Sequence, residues 1–255
     1  MKHLVISVSP DSSLSLLGKF ADLILLDKQA TTEVTLSYDS LYIRSHFSKA
    51  ETMPQLFHNE IKDLVKHAQR LNPKITFVDQ IDAVDEIVAF EDKWNQYQLF
   101  SNLMPNTELF ASANISSFKR PIYKNRLSSR GNGVTWNVSD AAKIKSDWIV
   151  QESIDIKEEL RIYVIKGIVY PIGAVRDSMT ESQKAQVVNS RKLGDDEIEF
   201  ALEVAKLAPK MDFIGLDIAK THDGHIYLME VNRSPGFKAF EEVSHVNLAS
   251  ILYEG

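Results

Sequence analysis

Apolar and polar positions change period repeatedly along the first part of the chain. His3 to Ser9 alternates as a short strand, and Leu14 to Leu26 predicts a helix feeding a strand. Thr35 to Arg44 predicts one extended or hairpin segment. From Gln55 to Leu71 the apolar residues Leu56, Ile61, Leu64, Val65 and Ala68 recur at helical spacing. Asn72-Pro73 stops that helix, and Ile75 to Val78 reads as a buried strand. Strands alternating with helices predict a small α/β domain over residues 1–90. His3, His46, His58 and His67 share no spacing, so surface or structural roles are expected for them.

Further along, Glu91-Asp92-Lys93 opens a helix through Leu103, with Trp94, Tyr97 and Leu99 to pack, and Met104-Pro105-Asn106-Thr107 breaks it. Pro121 to Lys124 reads as a strand running into the loop Ser128 to Val134, and Asp147 to Ile154 as a strand leading into another loop. Asp195 to Ala208 is an amphipathic helix with Ile198, Leu202, Ala205 and Leu207 as its expected inward face. Phe213 to Ala219 is a buried strand, His222 to His225 a turn, and Ile226 to Asn232 the returning strand. Val243 to Leu252 is a last candidate helix, expected to complete the catalytic unit.

Composition narrows the function without naming it. The 255 residues carry a net charge of −6 and no long basic run, which gives no support for a nucleic-acid binder. There is no cysteine, so disulfides, zinc-thiolate sites and cysteine nucleophiles are excluded, and a reducing, cytoplasmic setting fits. Met1 to Pro10 is too short and too soon polar for a signal peptide, and no apolar run spans a bilayer. No membrane partner is expected, and a homo-oligomer is left open.

Chemistry concentrates in two places. The predicted hairpin can bring Asp217 beside Glu230 and Asn232, and the latter two, two positions apart, share a face. Two carboxylates and an amide oxygen are hard ligands suited to Mg²⁺, which keeps waters and shares its shell with phosphates. The plain alternative is a pair of solvated acids followed by a turn, Asn232 to Gly236. The second place is Leu109 to Ser139, which holds Lys119, Arg120, Lys124, Arg126 and Arg130 and no acid. Gly131 and Gly133 let backbone N–H groups approach phosphate oxygens, and Lys124 can add a point charge; a basic hairpin tip is the alternative.

The string Met229-Glu230-Val231-Asn232-Arg233-Ser234-Pro235-Gly236, after an apolar strand carrying Asp217, resembles the metal strand and loop of the ATP-grasp ligases, in particular their RimK-type branch. The resemblance implies an α/β chain: an ATP-grasp fold of two α+β subdomains gripping ATP, preceded by a small pre-ATP-grasp domain. Residues 1–90 would be that first domain and 91–255 the ATP-grasp domain, with a lid over about 105–150 and a large subdomain over about 151–255. It places Lys93, Lys124 and the flap residues Arg130, Gly131 and Gly133 at the nucleotide phosphates. Gln151, Glu152, Ser153 and Ile154 would line the adenine pocket, and Glu159 would meet the ribose. Arg161, on a strand, and Arg176 would point into the site. Val188 to Gly194 is similar to the family's Ser-Asn-x-x-x-Gly-Gly but departs at both ends. There Asn189 would contact phosphate or metal, and Arg191 or Lys192 the transferred phosphoryl group. Arg176 and Arg233 would hold the substrate carboxylate or the intermediate, and Asp217, Glu230 and Asn232 the metal.

The activity so implied is an ATP-dependent carboxylate–amine ligation through an acyl-phosphate, releasing ADP and phosphate. Its cofactors would be ATP and Mg²⁺, with Mn²⁺ as an alternative ion. Its partners would be a small carboxylic acid or amino acid plus an amine, and the RimK-type likeness alone suggests a peptide or protein acceptor. Two other classes stay open: a kinase or phosphotransferase on the same fold, and an ATP-binding regulatory protein without turnover.

Overall fold

Continuous apolar runs at the start of the chain form a parallel sheet. In the computed structural model, which describes residues 1–7, 11–26, 34, 36–44, 55–80, 84–127, 133–137, 147–177 and 186–254, β1 (His3–Ser7) pairs in parallel with β2 (Asp22–Leu25) and β3 (Ser40–Ile43), and β3 with β4 (Thr76–Phe77). The order is β2-β1-β3-β4. Leu4, Val5 and Ile6 are all buried, as a strand covered on both faces requires. α1 (Leu14–Leu17) and α2 (Gln55–Leu71) belong to this layer. Of the two expectations for Thr35 to Arg44, the described residues form the extended one: the strand Ser40–Ile43 runs parallel to β1 and so joins the sheet after a crossover.

Two short helices follow. α3 (Val84–Glu91) has no counterpart in the sequence expectations, and α4 (Lys93–Phe100) begins where they placed it. Asp92 caps α4, accepting from the N–H of Trp94 at 2.8 Å and of Asn95 at 3.4 Å. The helix ends at Phe100 rather than Leu103, shortly before Pro105. A small antiparallel sheet comes next, β5 (Thr107–Leu109), β6 (Pro121–Asn125), β7 (Val134–Thr135) and β8 (Trp148–Glu152), in the order β5-β8-β6-β7. It has its own core of Phe118, Tyr123, Trp148 and Val150.

The largest sheet is antiparallel: β9 (Ile156–Ile165), β10 (Ile168–Val169), β11 (Ile172–Arg176), β12 (Val187–Lys192), β13 (Phe213–Thr221) and β14 (Ile226–Asn232). Its order is β12-β11-β9-β13-β14, with β10 beside β9. α5 (Asp195–Leu207), α6 (Lys238–Ser244) and α7 (Leu248–Glu254) pack around it. One face carries Leu160, Ile162, Leu216, Ile218 and Val231 into a core with α5 that continues to Leu4, Ile6 and Leu64. The other carries Tyr163, Ile165 and Phe213 into a core with Phe237, Phe240 and Leu252, continuing to Val5 and Tyr42. The inward stripe of α5 differs from expectation. Glu197, Ala201, Val204 and Ala208 are buried, while Leu202 and Leu207 are exposed. On this stripe Glu197 turns inward and meets Arg191. Among the described residues no helix is long and apolar enough to cross a membrane.

Candidate active site

The β13–β14 register sets Asp217 opposite Glu230 and Gly215 opposite Asn232. A bulge follows: Ile218 pairs with Leu228, leaving Met229 as the extra residue. The extra residue reverses the alternation, so Leu228 points to the core while Glu230 and Asn232 share the other face with Asp217. Gly215 is needed beside them, because a Cβ there would lie 2.7 Å from Pro235 Cβ.

Cations surround these carboxylates. Arg161 on β9 is the direct neighbour of Asp217 across the ladder. Its Nε and Nη2 donate to Oδ1 and Oδ2 at 2.6 and 2.7 Å, and Arg176 Nη1 reaches Oδ2 at 2.8 Å. Burial alone would push Asp217 up, but the two guanidiniums outweigh it and hold the carboxyl at about 2. Lys93 Nζ lies 3.1 Å from Glu230 Oε1. Asn232 Nδ2 donates to Asp217 Oδ2 at 3.3 Å. Arg161, Arg176, Asp217, Glu230, Asn232 and Lys93, all expected at the site, are thus brought together.

The small sheet adds a second wall. Lys124 on β6 is buried, and its Nζ donates to Gln151 Oε1 at 2.6 Å, while Gln151 Nε2 donates to Thr107 Oγ1 at 2.9 Å. Burial lowers the Lys124 ammonium to about 8, with Glu230 opposing the shift and Lys93 adding to it. Arg126, just past β6, clamps the Asp92 cap at 3.0 and 2.6 Å, and Lys93 N–H donates to Arg126 O at 3.1 Å. This clamp brings Lys93 and Lys124 to one place; sequence reading missed it, and an acid at an N-cap with an Arg after a strand is too common a pair to be read as a signal. Glu159 on β9 is raised to about 7, mainly by burial and against the pull of Arg176.

The segment Gln151 to Ile154 joins the two sheets. The Glu152 carboxylate accepts from the N–H groups of Lys119 and Arg120, both at 2.9 Å, and Ser153 N–H donates to Arg120 O at 2.8 Å. The Glu152 side chain is therefore engaged in loop structure. Gly133 stands in a turn with φ 68°, and its carbonyl accepts from Asn125 N–H at 2.7 Å. Arg130 and Gly131, like the rest of 128–132, lie outside the described residues.

Three expected site residues lie elsewhere. Arg191 pairs in register with Gly173, and the adjacent Ser190 with Ala174, itself the partner of Arg161. Strand alternation thus turns Arg191 to the face opposite Asp217, where Glu158 and Glu197 bind it. Asn189 pairs with Val175, itself opposite Leu160, so it also belongs to that second face. It is exposed, and its Oδ1 accepts from Ser190 N–H at 2.8 Å. Arg233 is fully buried on Asp79, with Nη2 to Oδ2 at 3.0 Å, and also donates to Ile43 O. Strand alternation turns it away from the face that carries Asn232, and its guanidinium is engaged there.

A family model for the RimK-like ATP-grasp domain matches residues 113–254. The chain belongs to this family. Among curated relatives, it is 31% identical over 153 residues to a probable alpha-L-glutamate ligase 2 of Hahella chejuensis, covering 52% of this chain and 48% of that protein. It is 34% identical over 104 residues to the coenzyme gamma-F420-2:alpha-L-glutamate ligase of Methanocaldococcus jannaschii, covering 37% and 35%. The matched region spans about half or less of these relatives. Solved ATP-grasp structures share the fold at low identity. The ligase PsnB complexed with a minimal precursor superposes with a TM-score of 0.70 at 14% identity, over 99% of this chain and 97% of that one. PsnB has also been solved with Mg and ADP, at a TM-score of 0.67, 13% identity and coverage of 99% and 95%. The macrocyclase MdnC of Microcystis aeruginosa, bound with its precursor peptide, gives 0.67 at 14% identity over 100% and 98%. The fold of this RimK-like chain is therefore ATP-grasp.

Proposed function

We propose that this chain is an ATP-dependent carboxylate–amine ligase that forms an amide through an acyl-phosphate and releases ADP and phosphate. The observation that carries the reading is the Asp217–Glu230–Asn232 face, with Arg161 and Arg176 on one side and Lys93 and Lys124 on the other. Two carboxylates and an amide oxygen are hard donors that suit a divalent ion, Mg²⁺ or Mn²⁺, which would take the place of the cationic groups they now meet. Asp217, Glu230 and, with its amide turned over to present Oδ1, Asn232 would hold it. When bound, the ion would screen the negative charge of the nucleotide phosphates.

A carboxylate is a poor acyl donor until its oxygen is made a leaving group, and transfer of the ATP γ-phosphoryl achieves this. Positioning and charge neutralisation are the protein's part. Lys93 and Lys124 would neutralise the phosphates, aided by the flap that includes Arg130, Gly131 and Gly133. The backbone of Gln151, Glu152, Ser153 and Ile154 would hold adenine, with Glu159 accepting from the ribose. Arg161 and Arg176 would exchange Asp217 for the substrate carboxylate and then the acyl-phosphate, a task suited to the guanidinium fork.

The names of the relatives and the bound precursor peptides support an amino acid as donor or acceptor and a peptide as partner. The same reading divides the chain into a leading domain of residues 1–90 and an ATP-grasp domain of 91–255, and the lack of cysteine fits a cytoplasmic setting. Incubation with ATP, Mg²⁺, amino acids and short peptides should give ADP, phosphate and a product with the mass of an added amide bond. Glu230→Gln should fold normally and lose turnover. Phosphate release that needs no amine, with no amide product under any pairing, would refute the ligase reading.

A further inference from the structure

β14 is the outermost strand of the large sheet, and it carries Glu230 and Asn232 next to a bulge. An edge strand has ladder partners on one side only, and a bulge loosens its register further. Two carboxyl and amide groups that must meet one ion need their backbone held on the open side. The structure supplies that hold from α4 and its exit. Leu228 N–H donates to Leu103 O at 2.8 Å. Val231, between the two candidate ligands, is held by one side chain: its N–H donates to Gln96 Oε1 at 3.0 Å, and Gln96 Nε2 donates to Val231 O at 2.9 Å. The Gln96 amide thus acts as a one-residue strand beside β14.

The second Nε2 hydrogen goes to Phe90 O at 3.0 Å. That bond fixes the amide's orientation, because the flipped amide would set its oxygen against two carbonyl oxygens. Gln96 is 3% exposed, so water does not compete for these bonds. It lies one helical turn after Lys93, whose ammonium meets Glu230. One short helix therefore holds both the Glu230 carboxylate and the peptide unit that follows it.

We propose that Gln96 is a positioning residue: it fixes the spacing of Glu230 and Asn232 for a divalent ion by pairing with both backbone groups of Val231. The inference rests on the reading of those two residues as metal ligands. Gln96→Met fills the space without making the bonds. Calorimetry would compare ADP binding with Mn²⁺ against ADP binding in EDTA, for the wild type and the variant. Gln96→Met should lose about tenfold or more in the Mn²⁺-supported affinity, in the range seen when groups supporting metal ligands are removed, and stay within about twofold in EDTA. An unchanged Mn²⁺-supported affinity, or equal losses with and without metal, would overturn the proposal. A wild type whose ADP affinity is indifferent to Mn²⁺ would instead refute the metal reading itself, and this inference with it. Should the variant not fold, amide exchange in the wild type decides: Val231 protected as strongly as Leu228 supports the clamp, and Val231 exchanging as an open edge amide overturns it.

Discussion

Asp79 and Arg233 form an ion pair with no solvent exposure on either side chain, 3.0 Å between Oδ2 and Nη2. Arg233 directly follows Asn232, so this pair anchors the end of β14 to the strand layer at the start of the chain. Asp79 itself adopts φ 71°, and its Oδ1 accepts from Phe213 N–H at 3.0 Å and Asp212 N–H at 3.1 Å. Arg44 and Tyr42 complete the anchor by donating to Pro235 O at 2.7 Å and Arg233 O at 2.8 Å.

Removing one partner of a buried pair leaves the other charge stranded, which costs about 3–5 kcal/mol. Arg233→Met should therefore lower the unfolding free energy by that amount, seen as a lower denaturant midpoint at unchanged slope, and Asp79→Asn combined with Arg233→Met should recover part of it, since the neutral amide oxygen still accepts from the Phe213 and Asp212 N–H groups. A midpoint unchanged in Arg233→Met, with turnover lost, would return Arg233 to the substrate site.

Arg191 leads to the opposite expectation from a catalytic arginine. Its partner Glu197 is buried, with a side chain 2% exposed, so Arg191→Met should reduce stability by roughly 1–3 kcal/mol. Turnover measured well below the melting temperature should stay within about twofold, since the residue faces α5. A fall of two orders of magnitude at unchanged melting temperature would contradict the strand parity.

Nucleotide affinity should have a narrow pH optimum. Glu159 stands at about 7, so as pH rises through that value it ionises and becomes the stronger acceptor for a ribose hydroxyl. Lys124 stands at about 8, so its positive charge is lost as pH rises further. ATP binding followed from about pH 6 to 9.5 should peak between these two values. Glu159→Gln should flatten the acidic limb and Lys124→Met the alkaline one. A profile that both variants leave unaltered would remove these residues from nucleotide binding.

The C-terminal hairpin was legible because its turn, two apolar runs and ligand string agree with one another. Its bulge at Met229 was not, since a bulge leaves no mark in composition, yet it makes Glu230 and Leu228 face opposite ways. Arg191 and Arg233, both expected at the site, meet acids away from the Asp217 group for a shared reason. A motif gives a cation's position along the chain, but strand parity and burial decide what it meets. The acids that bind them, Glu158, Glu197 and Asp79, are distant or unremarkable in sequence. Helix α5 was found and its face misjudged, because the inward stripe includes a charged residue. Gln96 gave no signal at all: its value lies in meeting Val231 from 135 residues away.

In the proposed ligation a carboxylate oxygen attacks phosphorus before the amine attacks carbon, and this order can be followed isotopically. It is tested most directly with the acid substrate labelled with ¹⁸O in its carboxylate, in a reaction that yields the amide product. Attack of the carboxylate on phosphorus leaves one labelled oxygen in the released inorganic phosphate and none in the nucleotide. Label in AMP, or unlabelled phosphate beside a genuine amide product, would contradict it.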